Sequence, residues 1–243
     1  MFKEPDRRRI YLLRHAEAAY LQQDGTPVPD TRAAGLTVNG QDQARRQSEV
    51  LAEVAFDRAI CSGLPRTRAT AGFVLAGRSG PTLEVVSELE EIRGGDRHQP
   101  IEDLASWIDH VGNPWADAAQ PDSRFLGGER FVDFERRVLP AFSALVGDPS
   151  WRTLLIVAHG GVNRLLLNHV MNLPWQGAVS IEQDACCINI IDLDMAAGRV
   201  VRYLIRGINI TGYNLNKAGI TLTDMERTAQ RLAALAAAAA TDR

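Results

Sequence analysis

Two histidines and two arginines carry the chemistry open to this chain. Arg14 and His15 follow a short apolar run at 10–13. An imidazole held unprotonated is a nucleophile, and a guanidinium offers forked donors to a phosphate or carboxylate. Ser62 and Arg66 follow a second short run at 58–61, with Pro65 between them. His159 closes a third run and precedes Gly160 and Gly161. Glycines let a backbone approach closely, and the start of a helix favours an anion. Glu88, Glu90 and Glu91 add carboxylates that can move a proton. Taken singly, such residues more often pack or sit in solvent. The weight lies in three of these sets falling at equivalent ends of separate strands, where open α/β sheets bind their ligands.

The elements that must position them read clearly. The continuously apolar run 153–158 predicts a strand covered on both faces. Strands are also expected at 10–13, 58–61, 82–86, 186–193 and 200–205, the last two joined by a turn around Ala197-Gly198. Helices are expected at 37–55, capped by Thr37 with Val50, Leu51 and Val54 on an apolar face, and from Pro65 to about residue 76. A further helix runs from Gly160 to about residue 172. This alternation predicts an α/β three-layer sandwich, a mostly parallel sheet with helices on both faces. Residues 94–128, rich in proline and tryptophan with a helix at 101–111, form an insertion over the C-terminal ends of the strands. Residues 1–222 make up the domain. The Ala-rich tail 223–243 is a surface helix that frays, or one that packs against a second subunit as a homodimer contact.

Composition narrows the partners. The chain has 243 residues, 45% hydrophobic and 23% charged, with net charge −3. That balance gives no general pull toward nucleic acid or anionic membrane, so anion binding must come from local arginines and histidines. Three cysteines, two of them adjacent at Cys186 and Cys187, make no disulfide framework and suit a reducing compartment. The charged N-terminus lacks a long apolar core, and no stretch reaches the roughly 18 apolar residues of a membrane span. A cytoplasmic protein is expected, with Asn209-Ile210-Thr211 a chance sequon. His98, His110 and His169 show no metal-ligand spacing.

The motifs together resemble those of the histidine phosphatase superfamily, the phosphoglycerate mutase-like branch 1. Leu13-Arg14-His15-Ala16-Glu17 is similar to its signature. Gly35-Leu36-Thr37 with Gly40-Gln41, Ser62-Gly63-Leu64-Pro65-Arg66, Leu89-Glu90-Glu91-Ile92, Gly127-Gly128-Glu129, Val157-Ala158-His159-Gly160-Gly161 and Asn209-Ile210-Thr211 follow in the family's order. The resemblance implies that His15 is phosphorylated transiently, with Arg14, Arg66 and His159 clamping the phosphate and Glu91 giving the leaving oxygen its proton. Glu90 is the rival for that last role. Ser62, Glu17 and Gly160 are placed on the substrate. No metal or cofactor is implied, because the arginines and His159 do the work of a cation.

Two departures bear on the activity. Ala18-Ala19-Tyr20 replaces a polar continuation with Asn, and Arg93-Gly94-Gly95-Asp96 replaces the segment of cofactor-dependent mutases. Both favour a phosphatase acting on a small phosphorylated metabolite over a mutase, while the intact set Arg14, His15, Arg66, Glu91 and His159 argues against a phospho-ligand module without turnover. Arg93, His98 and Arg124 lie near enough to the insertion to meet the substrate's variable part, although a solvated role suits each better.

Overall fold

The computed structural model describes residues 4–20, 28–95 and 104–241. Six strands form one sheet: β1 (Asp6–Arg14), β2 (Arg58–Cys61), β3 (Leu83–Val85), β4 (Thr153–Ala158), β5 (Ile188–Ala196) and β6 (Arg199–Ile210). Their order is β3-β2-β4-β1-β5-β6. The pairs β3–β2, β2–β4 and β4–β1 are parallel, whereas β5 runs antiparallel to both β1 and β6. Among these strands β5 alone is therefore reversed, and the sheet is mostly parallel as the alternation of elements implies.

The helices are α1 (Val38–Val50), α2 (Pro65–Leu75), α3 (Leu104–Gly112), α4 (Phe131–Gly147), α5 (Gly160–Val170), α6 (Gly177–Ser180) and α7 (Asp224–Thr241). Side chains alternate across a strand, and that alternation sorts the two cores. Ile10, Leu12, Leu154 and Ile156 pack with Phe134, Val138 and Phe142 of α4 and Leu166 of α5. Tyr11, Leu13, Leu155 and Val157 face the other way, against Leu51, Phe56, and Ala71 and Val74 of α2. The result is the expected three-layer sandwich. None of the described helices is long and apolar enough to cross a membrane.

Three expectations about the elements need correction. In α1 the inward face is Gly40, Gln43, Ala44 and Gln47 and the helix ends at Val50, which is 51% exposed, while Leu51 and Val54 just beyond it pack inward as expected. The helix buries amides because they hold loops: Gln43 Oε1 accepts from Glu17 N–H, and Gln47 Oε1 from Gly212 N–H. Strand β5 starts two residues later than its apolar pattern suggests. Cys186 has a φ of 58° and Cys187 N–H closes a turn onto the Asp184 carbonyl. Strand β6 extends to Ile210, well beyond the apolar run, because at the sheet edge Arg202 and Arg206 can pair with Asp194 and Asp192 instead of packing. The β5–β6 turn has φ of 49° at Ala197 and 73° at Gly198, the positive pair that a tight hairpin needs.

Residues 104–128 lie across the start of α5, at the C-terminal end of β4. A Cβ built on Gly161 would come within 2.9 Å of the Trp115 ring, and the Arg164 guanidinium stacks on that ring at 5.1 Å. Helix α3 packs against α7.

Candidate active site

Three neighbouring strands deliver the site. β2 leads directly into Ser62 and β4 into His159, and β1 ends at Arg14 with His15 next. The order β2-β4-β1 sets those ends side by side. His15 N–H donates to the Ala158 carbonyl, continuing the β1–β4 ladder up to the His15 backbone. The His15 and His159 rings meet edge to face, centroids 5.1 Å apart. That is close to the roughly 4.8 Å between adjacent strands.

Both tautomers follow from hydrogen bonding. His15 Nδ1 lies 2.7 Å from the Ala16 carbonyl, which can only accept, so Nδ1 carries the proton and Nε2 is bare. The Ala16 peptide is itself held, its N–H donating to Thr70 Oγ1 at 3.0 Å. Around His159 a short relay runs the other way. The Thr67 hydroxyl donates to the Leu64 carbonyl, so the Ser62 hydroxyl donates to Thr67 Oγ1 and accepts from His159 Nε2–H at 2.8 Å. His159 Nδ1 is then the atom left over, buried and without a partner among the described residues.

Both rings are buried and both are held neutral. Burial is the main cause for His15, helped by the positive charges of Arg66 and Arg14. For His159 it is again burial, followed by His15 and the same two arginines. An uncharged His15 is what a nucleophile requires.

The arginines approach from opposite elements. Arg66, in the first turn of α2, donates from Nη1 to the Thr31 carbonyl and lies under the Tyr20 ring at 5.6 Å. Arg14 donates from Nη1 to the Gln183 carbonyl at 2.6 Å and from Nη2 to Asp224 at 2.5 Å. The Nε of each is buried without a partner among the described residues. Buried donors of this kind are costly unless a ligand meets them.

Glu91 is the inward carboxylate. Its two oxygens accept from Gly161 N–H at 3.1 Å, at the start of α5, and Oε1 also accepts from Ile92 N–H. Glu90 points away and forms a two-point pair with Arg32. Arg137 of α4 fixes the strip that carries both, donating to the carbonyls of Glu88, Glu90 and Glu91 while Glu129 holds its other face. That gives a physical reason for the Gly-Gly-Glu motif at 127–129.

Of the expected site residues, the structure brings together His15, Arg14, Arg66, His159, Glu91 and Gly160. An added Cβ on Gly160 would lie 3.4 Å from both Arg14 Nε and Arg164 Nη1, so its lack of a side chain keeps the space between two guanidinium groups. Ser62 stands behind His159. Glu17 turns toward α1, its carboxylate taken by the Thr37 hydroxyl and the Asn39 amide. Arg93 is exposed, Arg124 donates to the Gly128 carbonyl, and His98 lies outside the described residues. Tyr20, Arg164, Gln183 and Asp224 are additions that no local motif announces. Cys187 is buried and pushed up to about 12, which suits packing rather than reaction.

Comparison with known proteins agrees with this geometry. A model of the histidine phosphatase superfamily (branch 1) matches residues 10–206. The chain is 32% identical over 198 residues to the adenosylcobalamin/alpha-ribazole phosphatase of Salmonella typhimurium, covering 76% of this chain and 90% of that protein. The crystal structure of the alpha-ribazole phosphatase from Shigella flexneri superposes with a TM-score of 0.64 at 27% identity, covering 83% of this chain and 96% of that one. The mycobacterial glucosyl-3-phosphoglycerate phosphatase in complex with VO3 superposes with a TM-score of 0.66 at 25% identity, covering 83% and 99%.

Proposed function

The chain belongs to the histidine phosphatase superfamily, branch 1, and on that premise we propose that it hydrolyses a small phosphomonoester through a phosphohistidine on His15, without a metal ion. The observation that carries this reading is the bare Nε2 of His15, fixed by the Nδ1 bond to the Ala16 carbonyl.

The Nε2 lone pair attacks phosphorus while the ester P–O bond breaks in line. Glu91 gives a proton to the departing oxygen. Charge on the phosphoryl oxygens is met by Arg14 and Arg66, which supply positive charge in a water-poor site where it counts most. His159 takes up a proton at Nδ1 as the anion arrives and becomes a further donor. Water then attacks the phosphohistidine, Glu91 accepts its proton, and phosphate leaves with His15 restored. The charge of the clamp is supplied by arginines, so catalysis rests on positioning and charge stabilisation rather than on a coordinated cation.

A generic aryl phosphate given to the wild type and to His15→Ala tests the proposal. Turnover is expected in the first and loss of at least about 10³-fold in the second. Brief exposure to substrate followed by a quench that avoids acid should trap label on the wild type alone. Equal rates in the two proteins would overturn the reading. A panel of phosphorylated metabolites, sugar phosphates included, then identifies the substrate.

A further inference from the structure

Arg14 is not free to receive a phosphate. Arginines in this chain grip a carboxylate with the edge formed by Nε and Nη2, as Arg7 does on Asp194 and Arg9 on Asp192. On Arg14 that edge is half taken: Nη2 is bonded to Asp224, and Nε is buried without a partner among the described residues. The other terminal nitrogen, Nη1, is tied to the Gln183 carbonyl. Nη2 carries two N–H groups, so a phosphate on the Nε–Nη2 edge must share Nη2 with Asp224 or displace it, and sharing sets two anions against one donor.

Asp224 is the first residue of α7, and its own N–H donates to Glu182, the carboxylate paired with Arg164. The ion pair sits at the rim of the site, with Asp224 32% exposed and Arg14 12%. Behind the rim His15 and His159 are almost fully covered. Arg14 is the main positive charge acting on Asp224 and holds its carboxyl down to about 2, so the contact stays charged at any working pH.

We propose that Asp224 is a resident stand-in for the substrate phosphate on Arg14, and that α7 is a gate whose first turn must leave Arg14, by moving off α3, for substrate to bind. This rests on the reading of Arg14 as a phosphate ligand. It assigns the tail a function at the site in place of the surface role that its composition suggests.

Two perturbations test it. Asp224→Asn keeps the shape and removes the competing charge. Inorganic phosphate, measured by calorimetry, should bind roughly tenfold more tightly to the variant, and KM for an aryl phosphate should fall by a similar factor with kcat little changed. Weaker or equal phosphate binding would mean that Asp224 supports Arg14 rather than competes for it, and would overturn the proposal. The second variant tethers the gate. A Cβ at Gly112 lies 3.6 Å from the Ala229 Cβ, within reach of a disulfide between α3 and α7. Gly112→Cys with Ala229→Cys, oxidised, should lose phosphate binding and recover it on reduction. Unchanged binding in the oxidised form would show that α7 need not move. If neither wild type nor Asp224→Asn binds phosphate while both stay folded, the reading of the site itself fails.

Discussion

Acid should weaken this fold through two particular protons. His15 is 3% exposed and His159 is fully buried, and their rings lie 5.1 Å apart between two guanidinium groups. Each is held neutral, well below the usual 6.5. In the unfolded chain both regain the ordinary value, so below pH 6.5 the unfolded state binds up to two protons that the folded state refuses. Where the unfolded state binds more protons, stability rises with pH. The contribution of these rings is therefore complete above pH 6.5 and drains away as the pH falls toward their folded values. Each withheld proton is worth about 1.4 kcal/mol per pH unit once the unfolded ring is fully protonated, so the pair, half protonated at pH 6.5, should cost about 2 kcal/mol between pH 6.5 and 5.5. Asp224, held at about 2, titrates below that window and does not confuse it. The assay is urea denaturation at several pH values in a phosphate-free buffer, on the wild type and on a His15→Gln, His159→Gln double variant. The wild type should show the steeper loss by nearly two protons. Parallel pH profiles in the two proteins would refute the buried, neutral pair.

Other perturbations address the acid, the glycine beside it and the relay. Glu91→Gln should slow hydrolysis of an alkyl phosphate by about 10²–10⁴-fold but of a nitrophenyl phosphate far less, since a good leaving group needs no proton. Glu90→Gln, which weakens the ion pairs with Arg32 and Arg93 outside the site, should leave both rates nearly intact and cost about 1 kcal/mol in urea unfolding. Gly161→Ala would push a methyl to 2.5 Å from Glu91 Oε1 and 2.9 Å from the Trp115 ring, so thermal stability and alkyl phosphate turnover should fall together. Ser62→Ala strands His159 Nε2–H and should cost about 1–3 kcal/mol of stability, with kcat falling more than KM rises because the hydroxyl positions His159 rather than the substrate.

What could be read in advance was what is local. The bounds of β2 and β4 agree with the expected runs 58–61 and 153–158 to the residue, because the residues buried within strands of a parallel sheet are apolar. Arg14, His15, Arg66 and His159 were legible for a related reason: each sits within a few residues of a strand end. The choice between Glu90 and Glu91 was not, since it depends on Arg32, 58 residues away, drawing Glu90 outward. Asp224 lies 210 residues from Arg14, and nothing in an Ala-rich tail signals that its first acid meets the site. Buried amides on α1 defeated the apolar pattern in the same way, by spending polar side chains on loops distant in sequence.

The site's central spacing is inherited from the sheet rather than built by loops. His15 and His159 are neighbours because β1 and β4 are neighbours, and backbone bonds run up to His15 N–H itself. The proposed nucleophile and the proposed phosphate ligand are thus set by the same parallel ladder that stabilises the core, where a shift of one residue would cost the whole register. Glu91 is held differently, by N–H groups at the start of α5 and by Arg137 through the backbone of its strip. Asp224 opens α7, which packs on α3 rather than on the sheet. This ordering predicts where change is tolerated. Substitutions in α3 and α7 should alter which phosphomonoester enters, and how readily, while leaving transfer to His15 intact. Substitutions that disturb the β1–β4 pairing, such as a proline at Leu13, should abolish turnover and folding together, and a folded Leu13→Pro protein with normal kcat would contradict the dependence of the chemistry on the sheet.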